Sequence, residues 1–496
     1  MNEQIKIWAT AIELLVRAGA TRDDALANVP EDFRSAVLQH IEGESKESSK
    51  KPNSLDAEPG RRKVWGSHKT SVGAHWSALY NFLSAENRNL GDLGRLDVAS
   101  DEVLFRIGSP RNGEDFRVQG LVIGYVQSGK TANYTALAAK AYDAGYRLVI
   151  VLSGIHNSLR HQTQLRMQRE LGIQSGLPKG IAHVLQTSFG EDLVSPLTRL
   201  DAKGGDFLSG TIGSEILSSG KYLIVTKKNV SVLKKLHAWL GEGGTLGIPT
   251  LVIDDEADQA SVNIGEDRPD EPENDSLEEF VDYFQGESDG DLEDIEPSKI
   301  NASIRRLLNR FSRVSYVAYT ATPYANVFMD DDAFDREALG DLYPRHFIMA
   351  LPKPRGYVGS QELFGSDIET EALTNKVVRI VEEEDEIVFK DSVRRLPESL
   401  VSATYDFLFG AAIKEQRQPG SPASMLVHVS HRTHIQNDVA ELVGDLLLKM
   451  RQSFLWNRDD IRPAWSARFA AFTERDTNLA NTSFSSIEDS LEEILH

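Results

Sequence analysis

The chain holds 496 residues with 54 basic and 75 acidic side chains, a formal net charge of −21. That length exceeds one ordinary core and suits two or three domains, while the acidity argues against a protein that coats nucleic acid or an anionic membrane by bulk attraction. With no cysteine, disulfide scaffolds, zinc ribbons, iron–sulfur sites and thiol nucleophiles are excluded, and a reducing cytoplasm is the expected location.

The start, MNEQIKIWATAIELLVRAG, is amphipathic without a basic leader region. The longest apolar run, near LVIVLSGI, falls far short of the ~20 residues of a membrane span, so no membrane partner is expected. Over residues 1–44, Ile7, Ala11, Leu14, Leu15, Val37, Leu38 and Ile41 follow the i, i+3, i+4 spacing of a small helical module. Residues 45–94 are expected to be a linker followed by a helix, because GESKESSKKPNSLDAEPGRRK is too polar to fold alone.

From about 118, apolar runs (VQGLVIGY, YRLVIVLSG, KYLIVT, TLVIDDEA, SYVAYTA) alternate with helical stretches such as TANYTALAAKAYDAG. Such alternation predicts an α/β lobe over 95–350, with a parallel sheet covered on both faces. Residues 266–298 interrupt it with 15 acids and one Arg. The plainer reading is a solvated insertion; the sharper one is an acidic arm that competes with DNA phosphate or docks a basic partner. Residues 351–394 read as a connection. Over 395–496, a helix (LPESLVSATYDFLFGAAIKE) and an apolar run (MLVHVS) predict the start of a second, incomplete α/β lobe.

Gly124-Tyr125-Val126-Gln127-Ser128-Gly129-Lys130-Thr131 is a full G-x-x-x-x-G-K-[ST] match between a strand and a helix. In that context the backbone N–H groups cradle phosphate, Lys130 reaches the β- and γ-phosphates of ATP, and Thr131 holds Mg²⁺. Gln127 is either a γ-phosphate sensor or a solvent-facing loop side chain. The strand Thr250–Ile253 leads into Asp254-Asp255-Glu256-Ala257-Asp258, placing carboxylates where parallel sheets bind ligands. Asp255 is assigned to the metal and Glu256 to the attacking water, with Asp254 and Asp258 in support. Farther on, Thr320 and Thr322 in Tyr319-Thr320-Ala321-Thr322-Pro323 are candidates to couple nucleotide state to movement. In this order the three motifs set out the first lobe of a superfamily 2 helicase-type motor.

The segments GLVIGYVQSGKTANYTALAAKAYDAG, LVIDDEADQAS, YVAYTATPYAN, FIMALPKPRGYVG, LPESLVSA and MLVHVS together resemble the Z1 domain family, over about 95–440. The resemblance implies a RecA-like superfamily 2 ATPase lobe in a restriction or defence setting. It implies action on double-stranded DNA, as the NTPase subunit of an oligomeric complex with a separate nuclease. The family's later SRG and QMGRWFGYR-like motifs are absent, and only about 70 residues follow MLVHVS, whereas a full lobe takes about 150. The expectation is therefore that the chain is the N-terminal part of a longer protein, which binds nucleotide and turns it over slowly. No nuclease motif is found. His428, His431 and His434 read as a core histidine and loop residues rather than a metal cluster.

Arg160, Gln162, Thr163, Gln164, Arg166 and Arg169 after one strand, and Lys227, Lys228 and Asn229 after the next, offer two basic points on one sheet edge. They are candidates for phosphate contacts along DNA, or else solvated helix starts. The leading expectation is a DNA-stimulated ATPase or translocase subunit. The alternatives are a nucleotide-gated switch without DNA stimulation and a self-contained endonuclease.

Overall fold

The structure, a computed structural model, describes residues 73–86, 90–126, 129–173, 193–198, 214–241, 245–259, 297–327, 342–354, 357–364, 378–389, 393–430, 432–456, 458–475 and 481–495, with isolated shorter stretches besides. The chain divides into two units, Met1–Pro269 with Asp289–Tyr357, and Asp270–Ser288 with Val358–His496. Most of the acidic stretch 266–298 lies outside the described residues. No helix among the described residues is long and apolar enough to cross a membrane.

The first unit contains one eight-stranded sheet: β1 (Asn53–Asp56), β2 (Phe116–Ile123), β3 (Leu148–Ser153), β4 (Val194–Pro196), β5 (Lys221–Thr226), β6 (Thr250–Asp255), β7 (Arg313–Thr320) and β8 (Phe347–Ala350). Their order is β1-β8-β2-β7-β6-β3-β5-β4. Every pairing is parallel except β1 with β8. The helices of this unit are α1 (Ala74–Ala85), α2 (Leu90–Leu104), α3 (Lys130–Ala144), α4 (Asn157–Glu170), α5 (Val230–Trp239), α6 (Pro297–Leu308) and the short α7 (Tyr324–Val327). All five apolar runs expected as strands are strands. Their continuous burial, complete in β3, is what two covered faces demand, and it explains why β-branched side chains dominate them. Where β2 passes β8, a Cβ on Gly120 would lie 2.2 Å from the Phe347 ring, so only glycine permits that approach.

Helix α3 runs through the middle of the unit, with twelve of its fifteen residues buried. Its apolar face joins the sheet core through Leu137, Ala138 and Ala141, and its other side packs Ala136 and Ala139 against Leu79, Leu83 and Leu93 of α1 and α2. A lysine sits in that second contact. The Lys140 ammonium is wholly buried, 2.6 Å from both Asp97 and Asp101 of α2 and 4.3 Å from the Trp76 ring of α1. On the same helix, Asp143 accepts the N–H groups of His75 and Trp76 at 3.0 and 2.9 Å, so a carboxylate of α3 caps the N-terminus of α1.

Two boundaries differ from expectation. The stretch 45–94 includes β1, because NSLD pairs with the edge of β8 and gains a backbone partner that its polar sequence does not advertise. The lobe also begins before 95, since α1 and α2 already pack on α3. Within 1–44, the described Ile12, Val29 and Val37 are buried together beside Leu26 and Phe33.

The second unit contains α8 (Ser360–Phe364), α9 (Glu383–Ile387), α10 (Glu398–Arg417), α11 (Thr433–Trp456), α12 (Arg458–Thr473) and α13 (Phe484–Leu495). The ring of Phe409 on α10 meets Trp465, Phe469 and Phe484 edge-on, with centroids 6.2, 5.2 and 6.3 Å away. These contacts gather α10, α12 and α13 around one aromatic core. The expectation of an opening α/β lobe over 395–496 is corrected here: the regular elements among the described residues of the segment are all helices, and none is a strand. MLVHVS lies outside any helix or strand, Met425 and Leu426 are exposed, and it pairs with no strand among the described residues. Without a neighbouring strand, its alternating apolar side chains cannot make a sheet. His428 is accordingly exposed rather than in a core, His434 is exposed, and His431 lies outside the described residues.

Removing Lys140 leaves two carboxylates facing each other at a buried helix contact. Lys140→Ala is expected to lower the unfolding free energy by about 3 kcal/mol, read as a shift of the urea midpoint with an unchanged slope.

Candidate nucleotide site

The sheet register brings three strand ends together. Ile123 is level with Thr320, and Asp255 is level with both Tyr319 and Ser153. The carboxyl ends of β2, β7 and β6 therefore open on one edge, with the glycine loop after β2, the threonines after β7 and the acidic turn after β6. From β2 the chain proceeds to β3 on one side, while β8 flanks it on the other, the crevice where open parallel sheets bind ligands.

The Gly124 N–H donates to the Thr320 carbonyl at 2.9 Å, holding the root of the loop to β7. Gly129 precedes α3 with φ 95°, a left-handed conformation natural only to glycine. That turn presents the first N–H groups of a fifteen-residue helix, with Lys130 and Thr131 at its start. The loop is buttressed from the segment after β8: the Tyr357 hydroxyl donates to the Val126 carbonyl at 2.8 Å, and its ring lies 5.2 Å from that of Tyr125. Gln127 and Ser128 lie outside the described residues.

Each acidic residue of the turn has a different environment. Asp254 is fully buried, 2.9 Å from the equally buried Lys228 ammonium, and it accepts the Tyr316 hydroxyl at 2.6 Å. Lys228 also donates to the carbonyls of Glu256 and Gln259 at 2.6 and 2.9 Å, so one lysine spans the whole turn. Glu256 has φ 55°, the one positive φ outside glycine among the described residues, and such strain persists where surroundings enforce it. Asp258 accepts the hydroxyls of Thr320 and Thr322 at 2.7 and 2.6 Å. The last acid of the turn is thus tied to both threonines.

Asp255 lies across from α3 and accepts the Tyr134 hydroxyl at 3.0 Å. Burial pushes Asp255 above the usual carboxylate range against that hydrogen bond, and the charge of Glu256 pushes the same way. Burial likewise raises Tyr134 well above the ordinary phenol range, reinforced by the charge of Asp255. Tyr319, edge-on to Tyr134, donates to the amide oxygen of Asn133 at 2.9 Å. Sequence reasoning missed Tyr134, Asn133, Tyr319 and Tyr316. The available signal was position, since Asn133 and Tyr134 lie within the first turns of the helix that follows Lys130.

Among the described residues no cluster of three or more His, Asp or Glu side chains is placed to hold a metal. One carboxylate near a helix-start hydroxyl is nonetheless a fitting pair for Mg²⁺, which binds through one or two carboxylates together with phosphates and water. A carboxyl raised by burial and by a like charge is the kind of donor that a cation relieves.

The basic candidates fare differently. Arg160 is fully buried and donates to Gln164 at 2.6 Å, while Gln164 donates to the Thr198 carbonyl. Asn229 is 4% exposed and caps α5 by accepting the Val232 N–H at 3.1 Å. Lys228 is committed to Asp254. These three point inward, which corrects their assignment to DNA: the strand ends draw them into the turn network and the helix cap rather than leaving them for phosphate. Arg166 pairs with Glu170 along α4, and Arg169 pairs with Glu86. Gln162 is exposed, and Thr163 and Lys227 are half-buried.

The Z1 domain model matches residues 399–496, which comprise nearly all of α10 and the helices after it. The match meets the expected 95–440 resemblance only at its C-terminal end and does not include the sheet. No curated protein matches the chain.

Two outcomes test this geometry. Lys228→Ala leaves Asp254 buried without its cation, so it is expected to cost about 3 to 5 kcal/mol of stability in denaturant unfolding. A carboxyl raised by folding contributes stability below its unfolded pKa and loses that contribution as pH rises through the folded value. Asp255→Asn is therefore expected to raise Tm at pH 7, with a smaller gain at pH 4, when thermal unfolding is followed without nucleotide.

Proposed function

We propose that the chain is a Mg²⁺-dependent ATPase of the superfamily 2 helicase type, built on a RecA-like P-loop lobe. The observation that carries this reading is the meeting of the glycine loop, the acidic turn and the two threonines at adjacent parallel strand ends.

In this reading the helix-start N–H groups and Lys130 receive the triphosphate. Thr131 and Asp255 would hold Mg²⁺, which supplies charge neutralisation on the phosphate oxygens. Glu256 orients the attacking water, and its carboxylate is aimed by the left-handed backbone and by the Lys228 bond to its carbonyl. Tyr134 occupies one oxygen of Asp255, which leaves the other for a cation. Asp258 links this turn to Thr320 and Thr322, so a shift of the acidic turn is transmitted to the end of β7.

Action on double-stranded DNA, beside a separate nuclease subunit in a cytoplasmic restriction or defence complex, rests on the family resemblance. Gln162, Thr163, Arg166 and Lys227 are the remaining phosphate contacts in this form of the proposal. A second reading, a nucleotide-gated switch that DNA does not stimulate, is favoured by the burial of Arg160, Lys228 and Asn229.

ATP hydrolysis with and without duplex DNA decides between them. Lys130→Ala and Glu256→Gln are expected to abolish turnover, and turnover that survives both would overturn the ATPase. If DNA raises the rate and Arg166→Ala with Lys227→Ala removes the rise, the motor reading stands. A rate indifferent to DNA establishes the switch.

A further inference from the structure

A tyrosine that never reaches solvent is bonded to the acidic turn. Tyr134, one turn after Lys130 on α3, is fully buried in the sheet core with Val122, Leu137, Val151 and Ile253. Its hydroxyl donates to Asp255 Oδ2 at 3.0 Å. The hydroxyls of Thr131 and Thr163 are near enough to act on the same phenol, so it stands between the two residues assigned to the cation, Thr131 and Asp255. We propose that Tyr134 is a positioning residue that confines Asp255 to one-oxygen coordination and thereby selects Mg²⁺ over Ca²⁺. The inference deepens the Mg²⁺-dependent ATPase reading and rests on it.

The two ions make different demands on a carboxylate. Mg²⁺ is small, holds close to octahedral geometry and keeps several waters, so one oxygen from a carboxylate serves it well. Ca²⁺ is larger, gathers about six to eight oxygens in a flexible geometry and accepts both oxygens of one carboxylate. A phenol that holds Oδ2 leaves Asp255 with one oxygen to give. This arrangement suits the octahedral ion and withholds a ligand from the larger one. Discrimination between these ions follows ligand number and flexibility, and the phenol reduces both.

Such a bond constrains the carboxylate only if the ring cannot swing away, and the packing ensures that. The Tyr319 ring lies edge-on to Tyr134 with centroids 5.5 Å apart, and the Tyr319 hydroxyl donates to the amide oxygen of Asn133 at 2.9 Å. Two adjacent positions of α3 are thus fastened, Tyr134 to β6 and Asn133 to β7. A carboxylate that turned to offer both oxygens would leave the buried phenol without an acceptor, which carries a desolvation penalty.

The test is equilibrium binding of a non-hydrolysable ATP analogue to the full chain with Mg²⁺, with Ca²⁺ and with EDTA, so that turnover does not enter the readout. In the parent chain Mg²⁺ is expected to tighten the analogue more than Ca²⁺ does. Tyr134→Phe removes the hydroxyl and keeps the buried ring, and it should narrow the Mg²⁺ preference by about tenfold, the scale of one hydrogen bond to a charged group. Tyr319→Phe deletes the neighbouring hydroxyl without touching Asp255 and should keep the parent preference. An unchanged preference in Tyr134→Phe, or an equal loss with both ions as a merely structural tyrosine would give, overturns the selectivity while Lys130-dependent binding still upholds the nucleotide site. Analogue binding that ignores Lys130→Ala, or a metal effect that survives Asp255→Ala, overturns the site reading and the selectivity with it.

Discussion

The acidic turn depends on one buried ion pair. Lys228 arrives from the end of β5, two strands away from β6, and reaches Asp254 with neither side chain exposed. Such a pair is weak evidence for stability, because desolvating both charges offsets most of their attraction. Its effect here is geometric. The remaining donors of the ammonium fasten the carbonyls of Glu256 and Gln259, so the backbone after β6 turns back instead of continuing into a helix. Asp255 then meets Tyr134 and Asp258 meets Thr320 and Thr322 from within four consecutive positions.

The second constraint is the depth at which α3 is set. A helix that starts at a glycine loop facing an acidic strand end keeps that geometry only if its first turn is fixed relative to the strand. Here that is achieved from both sides: the sheet core on one face, and the Lys140 contact with α2 and Trp76 on the other. The Tyr134 bond to Asp255 and the Tyr319 bond to Asn133 tie the start of α3 directly to β6 and β7. The glycine loop itself is held by Thr320 at its root and by Tyr357 near its tip.

Much of the sheet was legible because fully buried parallel strands write themselves as continuous apolar runs. The same property made the three motif-bearing strand ends readable, and it is there that Asp258 accepts the hydroxyls of Thr320 and Thr322. What escaped was information held in tertiary context. NSLD has no strand signature and becomes one only through β8. MLVHVS has the signature and lacks the neighbour. Lys228 and Arg160 illustrate the limit most clearly: charge in a sequence does not reveal whether the side chain faces water or a buried carboxylate. Tyr134 and Tyr319 were hidden for the opposite reason, since aromatic residues in apolar stretches read as core until their hydroxyls acquire partners.

The left-handed backbone at Glu256 has one more consequence. A side chain in that conformation leaves the chain in a direction that an ordinary helical or extended residue cannot take, and the surrounding bonds from Lys228 hold it there before any ligand arrives. The entropy of fixing this backbone position is therefore lost during folding and not on binding. A ligand arriving at this sheet edge would meet that one backbone position already set.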